Sequence, residues 1–268
     1  NENRWIHIVL VFNISRNVIR LYKDTVLDTT INETSAINTN STLLSIGAGT
    51  STYPTIANEF KGYLDEMGYW NRALSETEIR LLYNKGNAIT FSNLSYIPKF
   101  ARKNLNEDLI AYWKLDETSG DAIDSIGSYN GSVVGALRNQ SGIINTCYYF
   151  DGIDDWIDCG NSLKIYQDKE ELTLSCWLKW SHSNSWESPM GGRNSNDDFH
   201  LFINRRGSDA GNSPGDISIF FDNGLTLNSI GTGTLNQSYN DGEWHHIIII
   251  VQNTSSLGWE GVKIYVDE

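Results

Sequence analysis

Apolar and polar positions alternate along most of this chain with a period of two. The runs "TLLSIGAG", "ELTLSCWLKW", "HLFINRRG" and "DISIFFDNG" each carry this alternation, as strands with one buried face require. Glycine closes several of them. The clear helical pattern follows Leu74, where Ser75 stands as N-cap and Glu78, three residues on, completes a capping box. Leu74 and Ile79 flank that box as a hydrophobic staple, and Gly86 supplies a C-terminal stop. Many short strands with one short helix near residues 76–84 predict an all-β fold, an antiparallel β-sandwich or jelly roll.

The two ends of the chain match each other. "NRWIHIVLVFNISRNVIRLYKD" (Asn3 to Asp24) resembles "GEWHHIIIIVQNTSSLGWEGVKIYVD" (Gly242 to Asp267). Trp5 aligns with Trp244, His7 with His246 and Tyr22 with Tyr265, so one β-hairpin signature occurs twice. The chain therefore reads as slightly more than one period of a repeat. Residues 1–90 form the closing half of one unit, 91–108 a linker, and 109–268 the opening part of the next. Either each half awaits its own complement in a tandem array, or the two close together as one permuted sandwich. In the second case the strand around Leu64–Trp70 pairs with that around Ile110–Leu115. The linker spans that gap at little entropic cost, because loop closure grows only logarithmically with length. One copy of the Trp/His hairpin would then be left over.

Composition narrows the classes. With 40% hydrophobic and 12% aromatic residues there is material for a real core. The net charge of −13 repels phosphate backbones and anionic lipid, which makes nucleic acid and membrane surfaces poor partners. No apolar run approaches the ~20 residues that span a bilayer, so membrane insertion is not expected. Three cysteines, Cys147, Cys159 and Cys176, lie close together in sequence. If "CYYFDGIDDWIDC" is a hairpin turning near Ile153, Cys147 and Cys159 stand opposite and a disulfide is possible in an oxidising compartment. The alternative is three small buried hydrophobes. Eight N-x-S/T sequons are present in a chain rich in Asn, Ser and Thr, which is weak support for secretion.

Taken together, these pieces resemble the LamG-like jelly-roll domains of the concanavalin A-like lectin/glucanase superfamily. The opening motif is "YWKLDETSGDAIDSIGSYNGSVVG", followed by "YYFDGIDDWIDCG" and "LTLSCWLKW"; the closing motif is "LLSIGAG…FKGYLDEMGYWNRALSETEIRLLYNKG". The order is rotated, closing half first. The resemblance implies a recognition module in a multidomain secreted or cell-surface protein. It would bind a glycan or an extracellular protein and adjoin neighbouring LamG-like repeats, as adhesion proteins do. The competing expectations are a glycoside hydrolase or sialidase relative of the same fold, and a structural spacer without a ligand.

Catalytic signatures are poor. "GNSPG" (Gly211 to Gly215) fits a nucleophile-elbow pattern, but Pro214 lacks the N–H that an oxyanion hole needs after the serine. Glycosidases with this jelly roll begin their acidic strand with Glu-x-Asp, and no Glu here has Asp two residues later. Adjacent acids such as Asp65-Glu66, Asp116-Glu117, Asp154-Asp155 and Asp197-Asp198 point to opposite faces of a regular strand, so they cannot flank one glycosidic bond. His7 and His246 recur at one hairpin position, which predicts a structural role. The cysteines do not have zinc-site spacing.

Calcium fits better, since it takes six to eight hard oxygens. "DSIGSYNG" offers Asp124 and Asn130 on a glycine-bent turn, and the resemblance implies a structural calcium in this region with Asp65 contributing from the closing strand. The plainer alternative is an Asx turn with Asp124 bonded to its own backbone. For a sugar, exposed aromatics matter. Trp5, Trp113, Trp177 and Trp244 sit in strand patterns that predict core positions. Trp186, in "SHSNSWESPMGGRNSNDDFH", is the exposed candidate, with Arg193, Asn194, Asp197 and Asp198 as hydrogen-bonding partners. A Trp that merely lids the sandwich edge is the alternative.

Overall fold

The computed structural model describes residues 8–13, 18–23, 26–32, 44–52, 55–89, 105–160, 171–181, 187–194, 197–203, 217–222, 227–231, 239–252 and 261–267. The first strands are β1 (Ile8–Asn13), β2 (Val18–Lys23), β3 (Val26–Asn32), β4 (Ser45–Ile46), β5 (Gly49–Thr52), β6 (Thr55–Ala57) and β7 (Lys61–Trp70), followed by helix α1 (Glu76–Tyr83). Then come β8 (Leu109–Trp113), β9 (Ser132–Val134), β10 (Leu137–Ser141), β11 (Thr146–Asp151), β12 (Trp156–Asp158) and β13 (Glu171–Lys179). The last are β14 (Glu187–Asn194), β15 (Asp197–Ile203), β16 (Ile217–Asp222), β17 (Leu227–Gly231), β18 (Trp244–Gln252) and β19 (Gly261–Val266).

The protein is an all-β antiparallel sandwich. One sheet runs β10-β11-β7-β13-β18-β19-β1-β2-β3, and the facing sheet runs β17-β16-β15-β14-β4-β12-β9. Between them lies the main core: Leu64, Tyr148, Leu178 and Ile247 from the first sheet meet Ile46, Ile157, Met190 and Ile217 from the second. Burying each such side chain stabilises the fold by roughly 1.5–3 kcal/mol. Alternation is strict in β13, where Leu174, Cys176 and Leu178 face this core while Thr173, Ser175 and Trp177 face the other way.

A second apolar layer covers part of the outer face of the first sheet. Leu74, Ile79 and Leu82 pack with Trp70, Leu109, Tyr112, Ile248 and Ile250. Helix α1 forms because its ends are satisfied locally. The Glu78 amide donates to Ser75 Oγ (3.4 Å), and Glu78 Oε2 accepts from the Ser75 amide (2.8 Å) and hydroxyl (2.7 Å). Arg72 adds a two-pronged ion pair to Glu78, 2.7 and 3.2 Å. The stop differs from the sequence expectation: Asn84 takes the left-handed C-cap conformation (φ 48°), ahead of Gly86, since asparagine tolerates that region.

Strand β7 occupies the middle of the first sheet, between β11 and β13. It also pairs with β8, at Met67↔Trp113, Gly68↔Tyr112 and Tyr69↔Ala111, the pairing expected where the two halves close together. Among the described residues both hairpin repeats form antiparallel ribbons, β1–β2 and β18–β19, with Trp5 and His7 of the first outside them. The second copy is not left over. It extends the same sheet, with Val11 opposite Val262.

The cysteine expectation changes. β11 and β12 flank the "GIDD" turn but enter different sheets: β11 pairs with β10 and β7, and β12 with β4 and β9. Cys147 and Cys159 therefore do not face each other across a ladder, and all three thiols are free and buried. Burial pushes the Cys147 thiol up to about 12.

Candidate functional site

Two features stand out on β7. The first is a gap in the sheet. β13 runs along one edge of β7, and the other edge is shared: β11 pairs with residues 61–64 and β8 with residues 67–70. Asp65 and Glu66 fall where one neighbour stops and the next begins. A bulge marks the spot: Trp177 faces Asp65 and Ser175 faces Gly68, so Glu66 and Met67 share one position opposite Cys176. Glu66 takes a positive φ of 51°. The bulge breaks the alternation on which the opposite-faces argument for Asp65-Glu66 depends, and both carboxyls are buried.

Their hydrogen bonds are incomplete. Asp65 Oδ2 accepts from the amides of Ile143 (2.8 Å) and Ile144 (3.2 Å), but Asp65 Oδ1 and both Glu66 oxygens have no partner. A Cβ on Gly142 would lie 2.5 Å from Asp65 Oδ2 and 2.7 Å from the Thr146 carbonyl, so only glycine admits this approach. Asp116 closes the gap, its Oδ1 accepting from the Thr146 amide (3.0 Å) and its Oδ2 from Asn145 Nδ2 (3.1 Å). Burial, reinforced by the Asp116 charge, pushes Asp65 up to about 8. Burial and the charges of Asp65 and Asp116 push Glu66 to about 9, with Lys114 opposing. Three buried oxygens without donors are costly unless a proton or a cation satisfies them. The donor set is all hard oxygen, which suits calcium.

The expected ligands Asp124 and Asn130 do come together, in their own turn. Asp124 Oδ1 accepts from the amides of Tyr112 (2.9 Å) and Ile126 (3.0 Å), and Oδ2 from Gly127 (3.0 Å) and Tyr129 (3.1 Å). The Asp124 amide donates to Asn130 Oδ1 at 3.0 Å. Asp124 thus organises an Asx-type turn, whereas the hydrogen bonds of Asp65 go to the 142–145 turn. A further acidic group, Asp151, Asp154 and Asp155, has carboxylate oxygens within 4.8 Å of one another. There Asp155 Oδ2 already accepts from the Asp151 amide at 2.8 Å.

The second feature is a row of side chains on the outer face. Tyr149 of β11 stands opposite Tyr63 of β7, Tyr63 opposite Lys179 of β13, and Lys179 opposite Trp244 of β18. The Tyr63 and Tyr149 ring centroids are 4.9 Å apart, and Tyr63 to Trp244 is 6.2 Å. Lys179 Nζ lies 6.0 Å from the Tyr63 ring. All four are only half-buried, so Trp244 is not the core residue its strand pattern predicts. Beside the row is a cavity of about 260 Å³ whose lining includes Lys61, Tyr63, Tyr149, Lys179, Ser181 and Gly242.

The remaining expected ligand residues divide. Trp186 lies outside the described residues, as do His7, Trp5 and the "GNSPG" loop. Ser181, before the Trp186 segment, lines the cavity, and Glu187, after it, accepts from the Lys61 amide at 3.3 Å. The β14–β15 ladder places Arg193 opposite Asp198 and Asn194 opposite Asp197.

Comparison with known proteins bears on the first part of the chain. Residues 1–80 match the family model of the concanavalin A-like lectin/glucanases superfamily, laminin G type. Those residues are LamG-like. The match takes in β7, and so Tyr63, Asp65 and Glu66 lie on its LamG-like strand. No curated protein and no solved structure matches the chain.

Two histidines in the β18–β19 hairpin have structural partners. His246 Nε2 is 2.8 Å from Ser175 Oγ and its ring clusters with those of Trp177 (4.8 Å) and Tyr83 (6.0 Å), which lie 5.7 Å from each other; burial holds its pKa down to about 3. His245 lies between Asp267 (2.7 Å) and Asp241 (3.1 Å). Burial disfavours its charge, but Asp241 and Asp267 together outweigh it and raise its pKa to about 9.

Proposed function

We propose that this chain is a non-catalytic LamG-like recognition module that binds a glycan, or a glycan-bearing extracellular protein, on the outer face of its larger sheet. The observation that carries this reading is the cross-strand row Tyr149–Tyr63–Lys179–Trp244 beside an open cavity. Half-exposed aromatic rings offer flat apolar faces to a sugar, and polar groups at the rim fix its orientation. The acids do not make a convincing hydrolase. Asp65 and Glu66 are buried in the sheet gap, Asp116 is held by the turn before β11, and the Ser175–His246 pair is sealed beneath α1.

A structural calcium belongs to the same reading. Asp65 and Glu66 would hold it, with Asp116 adjacent, and it would supply the positive charge that their unpartnered oxygens need. The position of β7 between β11 and β13 supports the two halves, 1–90 and 109–268, closing as one permuted sandwich. Such a module suits a secreted or cell-surface protein with adjoining LamG-like repeats.

A glycan array probed with the wild-type chain and with Tyr63→Ala, beside a polysaccharide hydrolysis panel, tests the reading. Binding that Tyr63→Ala removes, with no sugar released, is the expected result. Release of reducing ends by the purified chain, or no glycan bound at all, would overturn it. Trp186→Ala on the same array reports whether the adjoining segment contributes.

A further inference from the structure

The cavity beside the aromatic row is not neutral. Lys61 and Lys179 both line it, and among the described residues neither ammonium is held in an ion pair. That is unexpected in a chain with 33 acidic and 20 basic residues, where a surface lysine has acids in excess to choose from. The nearby acids have other work. Asp241 bonds His245 at 3.1 Å, Glu187 is buried and takes the Lys61 amide at 3.3 Å, and Asp151, opposite Lys61 in the ladder, accepts from the Ile153 amide at 2.8 Å. The lysines are also placed by register. Lys179 shares its cross-strand position with Tyr63, and Lys61 lies two residues from Tyr63 on the same face of β7. Gly62, between them, permits close packing, since a Cβ there would lie 2.5 Å from the Lys179 carbonyl.

We propose that this cavity binds the hexuronic acid unit of an acidic glycan. The sugar ring lies against Tyr63 and Tyr149, and its carboxylate sits between the ammonium groups of Lys61 and Lys179. Ser181 offers a hydroxyl to the ring oxygens at the rim. The volume, about 260 Å³, admits one ring of a longer chain, with the rest of the glycan running over the sheet. This inference rests on the glycan-binding reading above and adds the charge of the ligand to it.

Calorimetric titration with sodium trigalacturonate tests it, with maltotriose as neutral probe and sialyllactose as an acid of different shape. Calcium is held constant throughout, because uronates bind it. The expected result is binding of trigalacturonate but not maltotriose, weakened several-fold on going from low to high salt as screening acts on the exposed charges. Lys61→Ala and Lys179→Ala each weaken it about tenfold, the scale of one charge-assisted contact. Lysine-to-arginine changes retain most of the affinity. Lys61 is exposed, so its replacement tests the charge even if Lys179→Ala disturbs the strand. Equal binding of both trisaccharides, unaffected by either lysine variant, overturns the acidic ligand and leaves glycan recognition standing. Tighter binding of sialyllactose overturns the choice of hexuronic acid. Array binding that survives Tyr63→Ala, with trigalacturonate unbound, overturns the site itself.

Discussion

Removing divalent cations should make the stability of this protein depend steeply on pH. The reason is the gap between β11 and β8, where Asp65 and Glu66 are buried with three oxygens unpartnered. Without a cation, each carboxyl avoids its desolvation cost by keeping its proton. Asp65 is raised from 3.8 to about 8 and Glu66 from 4.5 to about 9. Folded values above unfolded ones mean that the cation-free fold is favoured below pH ~4 and loses stability as pH rises through the folded values. One pKa unit is worth about 1.4 kcal/mol, so the Asp65 shift alone corresponds to on the order of 6 kcal/mol. The two charges repel, so their costs do not simply add. Even one is comparable with the roughly 5–15 kcal/mol that holds a domain folded. Melting followed by tryptophan fluorescence, in chelator and in millimolar calcium, should show similar curves at pH 5. At pH 9 they should separate by about 10 °C or more, taking 2–4 °C per kcal/mol for a chain of this size. The Asp65→Asn/Glu66→Gln double variant should be indifferent to calcium across this range and keep only the alkaline limb that His245 contributes. Superimposed melts at pH 9 would refute the reasoning.

Other predictions follow from neighbouring contacts. In saturating calcium, the alkaline limb of stability should report His245: its raised value means that its contribution is complete below pH ~6.5 and is lost as pH rises through about 9. His245→Gln should flatten that limb and cost about 3–5 kcal/mol in a denaturant titration, because it leaves Asp267 buried without its cation. Ser75→Ala should cost about 1 kcal/mol by the same assay, through loss of the α1 capping box; no change would mean that the helix is held by packing alone. Thiol titration should find no reactive cysteine in the native state and three after denaturation. One reactive thiol in the denatured, unreduced protein would instead reveal a disulfide.

The parts of this structure that were legible in the sequence are those decided locally. Helix α1 follows from Ser75, Glu78, Leu74 and Ile79, all within one turn of its start, and each takes its expected role. The strand runs follow from alternation, because burying one face fixes their period. The β7–β8 pairing is the one expected if the two halves of the resembled domain close together, an arrangement that alternation alone left open. What was not legible depends on long-range pairing. The bulge at Glu66 arises because β7 exchanges β11 for β8 as neighbour, which a pattern of period two cannot register. The same limit misplaced the cysteines: the turn after Phe150 looks like a hairpin, but its arms belong to different sheets. The outer-face row was missed because its members lie on four strands far apart in the chain. A partial signal existed in "CYYFD": adjacent aromatics on a strand must point opposite ways, so Tyr148 in the core left Tyr149 outside.

Lysine footprinting tests the central claim most directly. Brief acylation of the chain with and without bound trigalacturonate, read by peptide mass, compares every lysine in one experiment. The account predicts protection of Lys61 and Lys179, which line the cavity, with Lys85, exposed just past the end of α1 and outside the cavity lining, unchanged. Protection confined to other lysines, with Lys61 and Lys179 modified as fast as in the free protein, would contradict it.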